Sequence, residues 1–229
     1  MAPRLPTITA GEVKRLRSAG KLVGEGLTAK AYLVQPKNGK EAILKVCKKR
    51  EFQHIVKQEI SVLQRLKPVA LLMEYCQGRT LEDLRWDPEV SNKTMMEVAL
   101  QATHQVSELH KRGFAHNDIK TDNCIANISH TPFSVRLIDF GNSTHLGESP
   151  RYELVPEGSH IAPELCRLGN ASTATDAFSL GCLLVDLMEA RAKGFPKMVS
   201  RLSQCAGRED PKWRPSLELF AEALQAAVS

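Results

Sequence analysis

The sequence predicts an α+β chain, strand-rich at the front and helical behind. Two patterns carry that expectation. Short apolar runs bounded by glycine or polar turns crowd the first third, at residues 22–34, 42–46 and 69–75. Longer runs of helical character take over at 94–111, 177–188 and 217–227. Between them lies a polar cluster, His116, Asn117, Asp118, Lys120, Thr121, Asp122 and Asn123, followed sixteen residues after its last member by Asp139, Phe140 and Gly141.

Taken in order, residues 1–9 are polar and contain prolines, without the apolar run of a signal peptide, so the chain is expected to be intracellular and cytoplasmic. Thr9 and Glu12 have the spacing of a capping box for a helix to about residue 18. Residues 22–34 form two strand-like runs joined by a turn containing Gly24 and Gly26. Residues 42–46 alternate as a strand that carries Lys45, and Ile55, Ile60, Val62, Leu63 and Leu66 give residues 53–66 helical periodicity around Glu59. A further strand at 69–75 leads to a short helix from Leu81, then a long one over 94–111 that stops at Gly113, a C-cap glycine. Residues 177–188 are the most apolar helix, too short to span a bilayer and interrupted by Asp186, hence a buried core helix. Leu217, Phe220, Leu224 and Ala227 line a closing amphipathic helix.

The chemistry sits in the middle. Cys124 to Ala126 and Val135 to Ile138 flank a turn at residues 129–132, so a hairpin would carry Asn123 and Asp139 side by side. Two such oxygen donors suit Mg²⁺, a hard cation that takes one or two protein ligands plus substrate phosphates. That leaves Asp118 free for a nucleophile. Turn-forming preference explains Asp118, Asn123 and Asp139 one at a time, but not their order and spacing.

These residues resemble the eukaryotic-type protein kinase core, H-R-D-x-x-x-x-N followed by D-F-G, with Ala162, Pro163 and Glu164 as a further landmark. The resemblance covers about residues 21–228. It implies a two-lobed fold after a tail and short helix at 1–20: a small β-rich lobe at about 21–74, a hinge at about 74–78 and a larger helical lobe at about 79–228, with ATP and Mg²⁺ between the lobes. It implies roles as well. Val23, Gly24, Glu25 and Gly26 would cover the phosphates, with Ala31 and Ala42 at the adenine. Lys45 would hold the α- and β-phosphates and Glu59 would fix Lys45. Met73, Glu74 and Cys76 would border the adenine. Asp118 would orient the substrate hydroxyl, Lys120 would neutralise the γ-phosphate, and Asn123 and Asp139 would bind the metal. His116, Phe140 and Gly141 would be structural, Asp176 would brace the loop backbone, and Glu164 and Arg214 would form a buried ion pair.

The implied activity is transfer of the ATP γ-phosphate to serine or threonine of a protein substrate, since a lysine two residues after the aspartate resembles serine/threonine kinases more than tyrosine kinases. A nucleotide- or partner-binding pseudokinase scaffold and a small-molecule kinase are the alternatives. Several positions depart from the family. Ala29 replaces the third glycine. Asn117 replaces an arginine that binds a phosphorylated activation loop, suggesting activity that does not wait for that phosphate. Glu157 stands where a threonine usually contacts the catalytic aspartate. Only thirteen residues separate Glu59 from Met73, one strand fewer than usual, and thirty-seven separate Asp176 from Arg214, a trimmed substrate-docking region.

Composition bounds the partners. A net charge of +5 is too small to argue for nucleic acid, and the tract at 48–50 is short and without aromatics. Six cysteines with no Cys-x-x-Cys pair read as reduced thiols. No membrane partner is expected, and nothing in the sequence bears on oligomeric state.

Overall fold

A computed structural model describes residues 8–26, 28–37, 39–48, 70–150, 160–191 and 194–229. The chain divides into two compact units, Met1–Cys76 and Gln77–Ser229.

Among the described residues of the front unit, four antiparallel strands lie in sequence order: β1 (Lys21–Glu25), β2 (Ala29–Val34), β3 (Ala42–Cys47) and β4 (Ala70–Glu74). Strand alternation sends Ala42 and Leu44 to one face, where they bury against Leu16 of helix α1 (Ala10–Ala19) together with Val34. Lys45 and Ile43 therefore project from the other face. Of the expected capping box one half is present. Thr9 Oγ1 accepts the Glu12 N–H at 3.2 Å, whereas the Glu12 carboxylate lies 3.8 Å from Arg15. Strand β1 is exposed along its whole length, with Leu22 at 46% and Val23 at 48%. The helix at 53–66, Glu59 and the question of a further strand fall outside the described residues.

The rear unit is built on α3 (Asn92–Lys111), α5 (Thr173–Glu189) and α7 (Leu217–Val228), with shorter helices α2 (Leu81–Arg85), α4 (Pro163–Cys166) and α6 (Lys197–Ala206). Helix α3 begins at Asn92 rather than Thr94 because Ser91 Oγ accepts the Thr94 N–H at 3.0 Å and caps the turn before it. Its Met95, Val98, Ala102 and Val106 share one apolar core with Leu180, Leu184 and Leu187 of α5 and Phe220 and Leu224 of α7. Burial raises the pKa of Asp186, the acid that interrupts the α5 run. A three-stranded sheet, β5 (Arg79–Thr80), β7 (Cys124–Asn127) and β8 (Ser134–Leu137), and a two-stranded one, β6 (Phe114–Ala115) with β9 (Thr144–His145), hold the loops between. No helix among the described residues is long and apolar enough to cross a membrane.

Helices α5 and α6 approach closely at Gly181. A β-carbon there would run into the Ala206 methyl and lie 3.1 Å from the Ser203 carbonyl oxygen. Gly181→Ala is therefore expected to cost about 1–3 kcal/mol by overpacking, outweighing any gain in helix propensity. A urea titration of both forms, read by the shift in midpoint, measures it.

Candidate active site

The loop after β6 is fixed from below by one carboxylate. Asp176, fully buried in the first turn of α5, accepts the backbone N–H of His116 at 2.8 Å and of Asn117 at 2.9 Å. His110 brings Nε2 to 2.8 Å of the same carboxylate. An amide in place of the acid would aim N–H groups at donors, and buried donors without acceptors cost about 1–3 kcal/mol each. Asp176→Asn is expected to destabilise the protein by about 2–4 kcal/mol. Chemical denaturation would register it, and a change under 1 kcal/mol would remove Asp176 as the brace.

Two residues of the loop then turn inward. His116 is fully buried, with Nδ1 accepting the Asp118 N–H at 3.3 Å and Nε2 lying 3.1 Å from the Ile138 carbonyl oxygen. These partners place the proton on Nε2, and burial pushes the imidazole pKa down, so the ring is neutral. It also packs on the Phe140 ring, with centroids 5.0 Å apart, joining this loop to the segment after β8. Asn117 adopts φ 63, a left-handed conformation that asparagine tolerates. Its amide nitrogen donates to Asn142 O at 3.0 Å and Thr144 Oγ1 at 2.9 Å. The family's arginine is thus replaced by a short buried tie between the two loops.

Asp118 is held at both carboxylate oxygens. Its Oδ2 accepts Asn123 Nδ2 at 3.0 Å, His160 Nε2 lies 2.6 Å from Oδ1, and Lys120 Nζ is 3.6 Å from that oxygen. Burial works to raise the Asp118 pKa, but the His160 hydrogen bond and the Lys120 charge outweigh it and hold the carboxyl below its ordinary value. The group is therefore a fixed, ionised acceptor at neutral pH. His160 carries no motif in the sequence, while Glu157, at the position expected to contact Asp118, lies outside the described residues.

Asn123 ends a single turn of 3₁₀ helix, Thr121–Asn123, and its carbonyl oxygen accepts the Ile138 N–H at 2.9 Å. Cys124 pairs with Leu137, so the hairpin brings Asn123 beside the residue preceding Asp139, which itself takes φ 62. The hydrogen bonds donated by the Asn123 amide nitrogen, to Asp118 O at 2.8 Å and Oδ2 at 3.0 Å, orient the amide so that its oxygen is the atom left for a cation. The described residues hold no cluster of three or more His, Cys, Asp or Glu suited to a metal. An amide oxygen with one carboxylate fits Mg²⁺ bound chiefly through substrate phosphates, and does not fit an all-protein cage.

In the front unit, Lys45 is half-buried at the middle of β3, directly across from Ala31. Ile43 pairs with Met73 and Ala42 with Glu74. Paired residues share a face, so Ala31, Ile43, Lys45 and Met73 line the side opposite α1. Glu74 is exposed and Cys76 half-buried. In the glycine hairpin, Val23 bulges between Leu22 and Gly24, and the Gly26 N–H bonds Ala29 O at 3.0 Å. Glu25 points to Lys48 at 2.7 Å and Lys30 at 3.0 Å, and its hydrogen bonds to these lysines, Lys48 first, lower its pKa.

Glu164 and Arg214 do pair, at 2.7 Å and 2.8 Å through the two terminal guanidinium nitrogens. The family model described as protein kinase domain matches residues 44–204. Over 177 residues the chain is 27% identical to serine/threonine-protein kinase shk2 of Schizosaccharomyces pombe, covering 74% of this chain and 30% of that protein. It is 26% identical over 151 residues to serine/threonine-protein kinase nekl-2 of Caenorhabditis elegans, covering 59% and 42%. With serine/threonine-protein kinase Nek5 of Mus musculus the identity is 25% over 216 residues, covering 83% and 34%. The chain thus spans less than half the length of each of these relatives. With a match over most of its length, and an α+β fold of a small antiparallel sheet and a larger helical unit, the chain belongs to the protein kinase domain family.

Proposed function

We propose that the chain is an ATP- and Mg²⁺-dependent protein kinase acting on serine or threonine hydroxyls. The observation that carries this reading is the ionised Asp118 carboxylate, held from both oxygens beside Asn123 at the end of the hairpin that delivers Asp139. The substrate hydroxyl oxygen forms its bond to the γ-phosphorus as the bond to the β–γ bridging oxygen breaks. ADP leaves, and the hydroxyl proton passes to Asp118. An aspartate is a weak base near neutrality, so its contribution is orientation more than proton affinity. Lys120, with a third of its side chain exposed, offsets charge on the transferred group. When bound by Asn123 and Asp139, Mg²⁺ supplies neutralisation of the phosphate oxygens. The names of the relatives support serine/threonine specificity. Six cysteines with no Cys-x-x-Cys pair are the ground for a reducing, cytoplasmic setting.

The test is incubation of the full chain with γ-labelled ATP, Mg²⁺ and a generic protein substrate, followed by phosphoamino-acid analysis. Phosphoserine or phosphothreonine is the expected product. Phosphotyrosine would overturn the specificity, and an ATP-dependent rise in melting temperature without any transfer would favour a nucleotide-binding scaffold.

A further inference from the structure

His160 lies two residues before Ala162 and forty-two residues beyond Asp118 in the chain, yet its Nε2 is 2.6 Å from Asp118 Oδ1. Its backbone is pinned. Ser179 Oγ, on the buried side of α5, donates to the His160 carbonyl oxygen at 2.7 Å, and the following Ile161 and Ala162 are buried. The imidazole therefore projects from a fixed point, with 24% of the side chain exposed. An ionised carboxylate can only accept, so Nε2 carries the hydrogen and donates. Lys120, at 3.6 Å from the same oxygen, contributes charge without a short hydrogen bond.

We infer that His160 is a positioning residue for phosphoryl transfer, donating the hydrogen bond that fixes Asp118 Oδ1 toward the substrate hydroxyl. The inference rests on the protein kinase reading. The charged groups around the ring are Asp118 and Lys120 from the loop and Asp186 from α5.

The test uses the full chain, comparing wild type with His160→Gln and His160→Ala. Alanine is expected to lower kcat about tenfold, with KM for ATP changed less than about twofold. Glutamine, whose side-chain N–H can make the same donation, is expected to recover most of kcat. Full kcat in the alanine variant, or no rescue by glutamine, would overturn the role. A second arm needs no turnover: the His160 side-chain resonances are compared by NMR in wild type and in Asp118→Asn, where loss of the carboxylate acceptor should move the Nε2–H signal. An unmoved His160 resonance in a wild-type protein that transfers phosphate would sink this inference alone. A moved resonance in a wild-type protein that transfers none would remove the kinase reading and the positioning role with it.

Discussion

Asp118→Asn is expected to lower phosphate transfer by about 10²–10⁴-fold, the range for loss of a positioned general base. The replacement keeps the shape of the side chain and changes its polarity. Two donors, His160 Nε2 and Asn123 Nδ2, converge on the carboxylate oxygens. An amide can satisfy one of them and must turn its own N–H groups toward the other or toward the incoming hydroxyl. The acceptor for the substrate proton and the orientation of the hydroxyl are lost together. Asp118 is not among the residues assigned to ATP or metal, so the ATP-dependent rise in melting temperature should survive. Single-turnover transfer and a thermal shift on the same preparations separate the two effects. Transfer at the wild-type rate would remove Asp118 from the chemistry.

The largest effect on stability is expected at Arg214. Its guanidinium has no exposure and donates to both oxygens of Glu164, to Ala174 O at 3.0 Å, to Arg208 O at 2.8 Å and to Glu209 O at 2.9 Å. It also lies 5.1 Å over the Phe178 ring. Arg214→Leu leaves a carboxylate and three carbonyl oxygens without their donor. Breaking a buried pair from one side costs about 3–5 kcal/mol, and the 23% exposure of Glu164 lets water recover part of that, so about 3 kcal/mol is expected. For a chain of this size that lowers the melting temperature by about 6–12 °C. Pairing Arg214→Leu with Glu164→Leu should recover part of the loss, because the stranded charge is then gone. Calorimetry on the single and double variants decides it. A single variant within 1 kcal/mol of wild type would mean that the pair does not anchor this region.

What the sequence made legible was short-range. Alternation over 42–46 locates β3, and the apolar run of 177–188 locates α5 to within a turn. Both patterns record which face of one element is buried. Alternation does not say whether an edge is covered, and Leu22 and Val23 of the edge strand β1 are half exposed. The site divides in the same way. The hairpin joining Asn123 and Asp139 spans few residues and reads directly from its turn. The Glu164–Arg214 pair crosses fifty residues and was legible through the family resemblance, not through any local pattern. The His110–Asp176 and His160–Asp118 contacts cross 66 and 42 residues and had neither signal. Only the path of the folded chain brings them together.

The loop that carries Asp118 has little regular structure of its own. Yet two of its amide hydrogens end on a carboxylate rooted in α5, a helix buried in the core of the rear unit. Opening the loop while that helix stays folded strands a buried carboxylate without its two amide donors, so local melting of the site carries an added cost of about 1–3 kcal/mol.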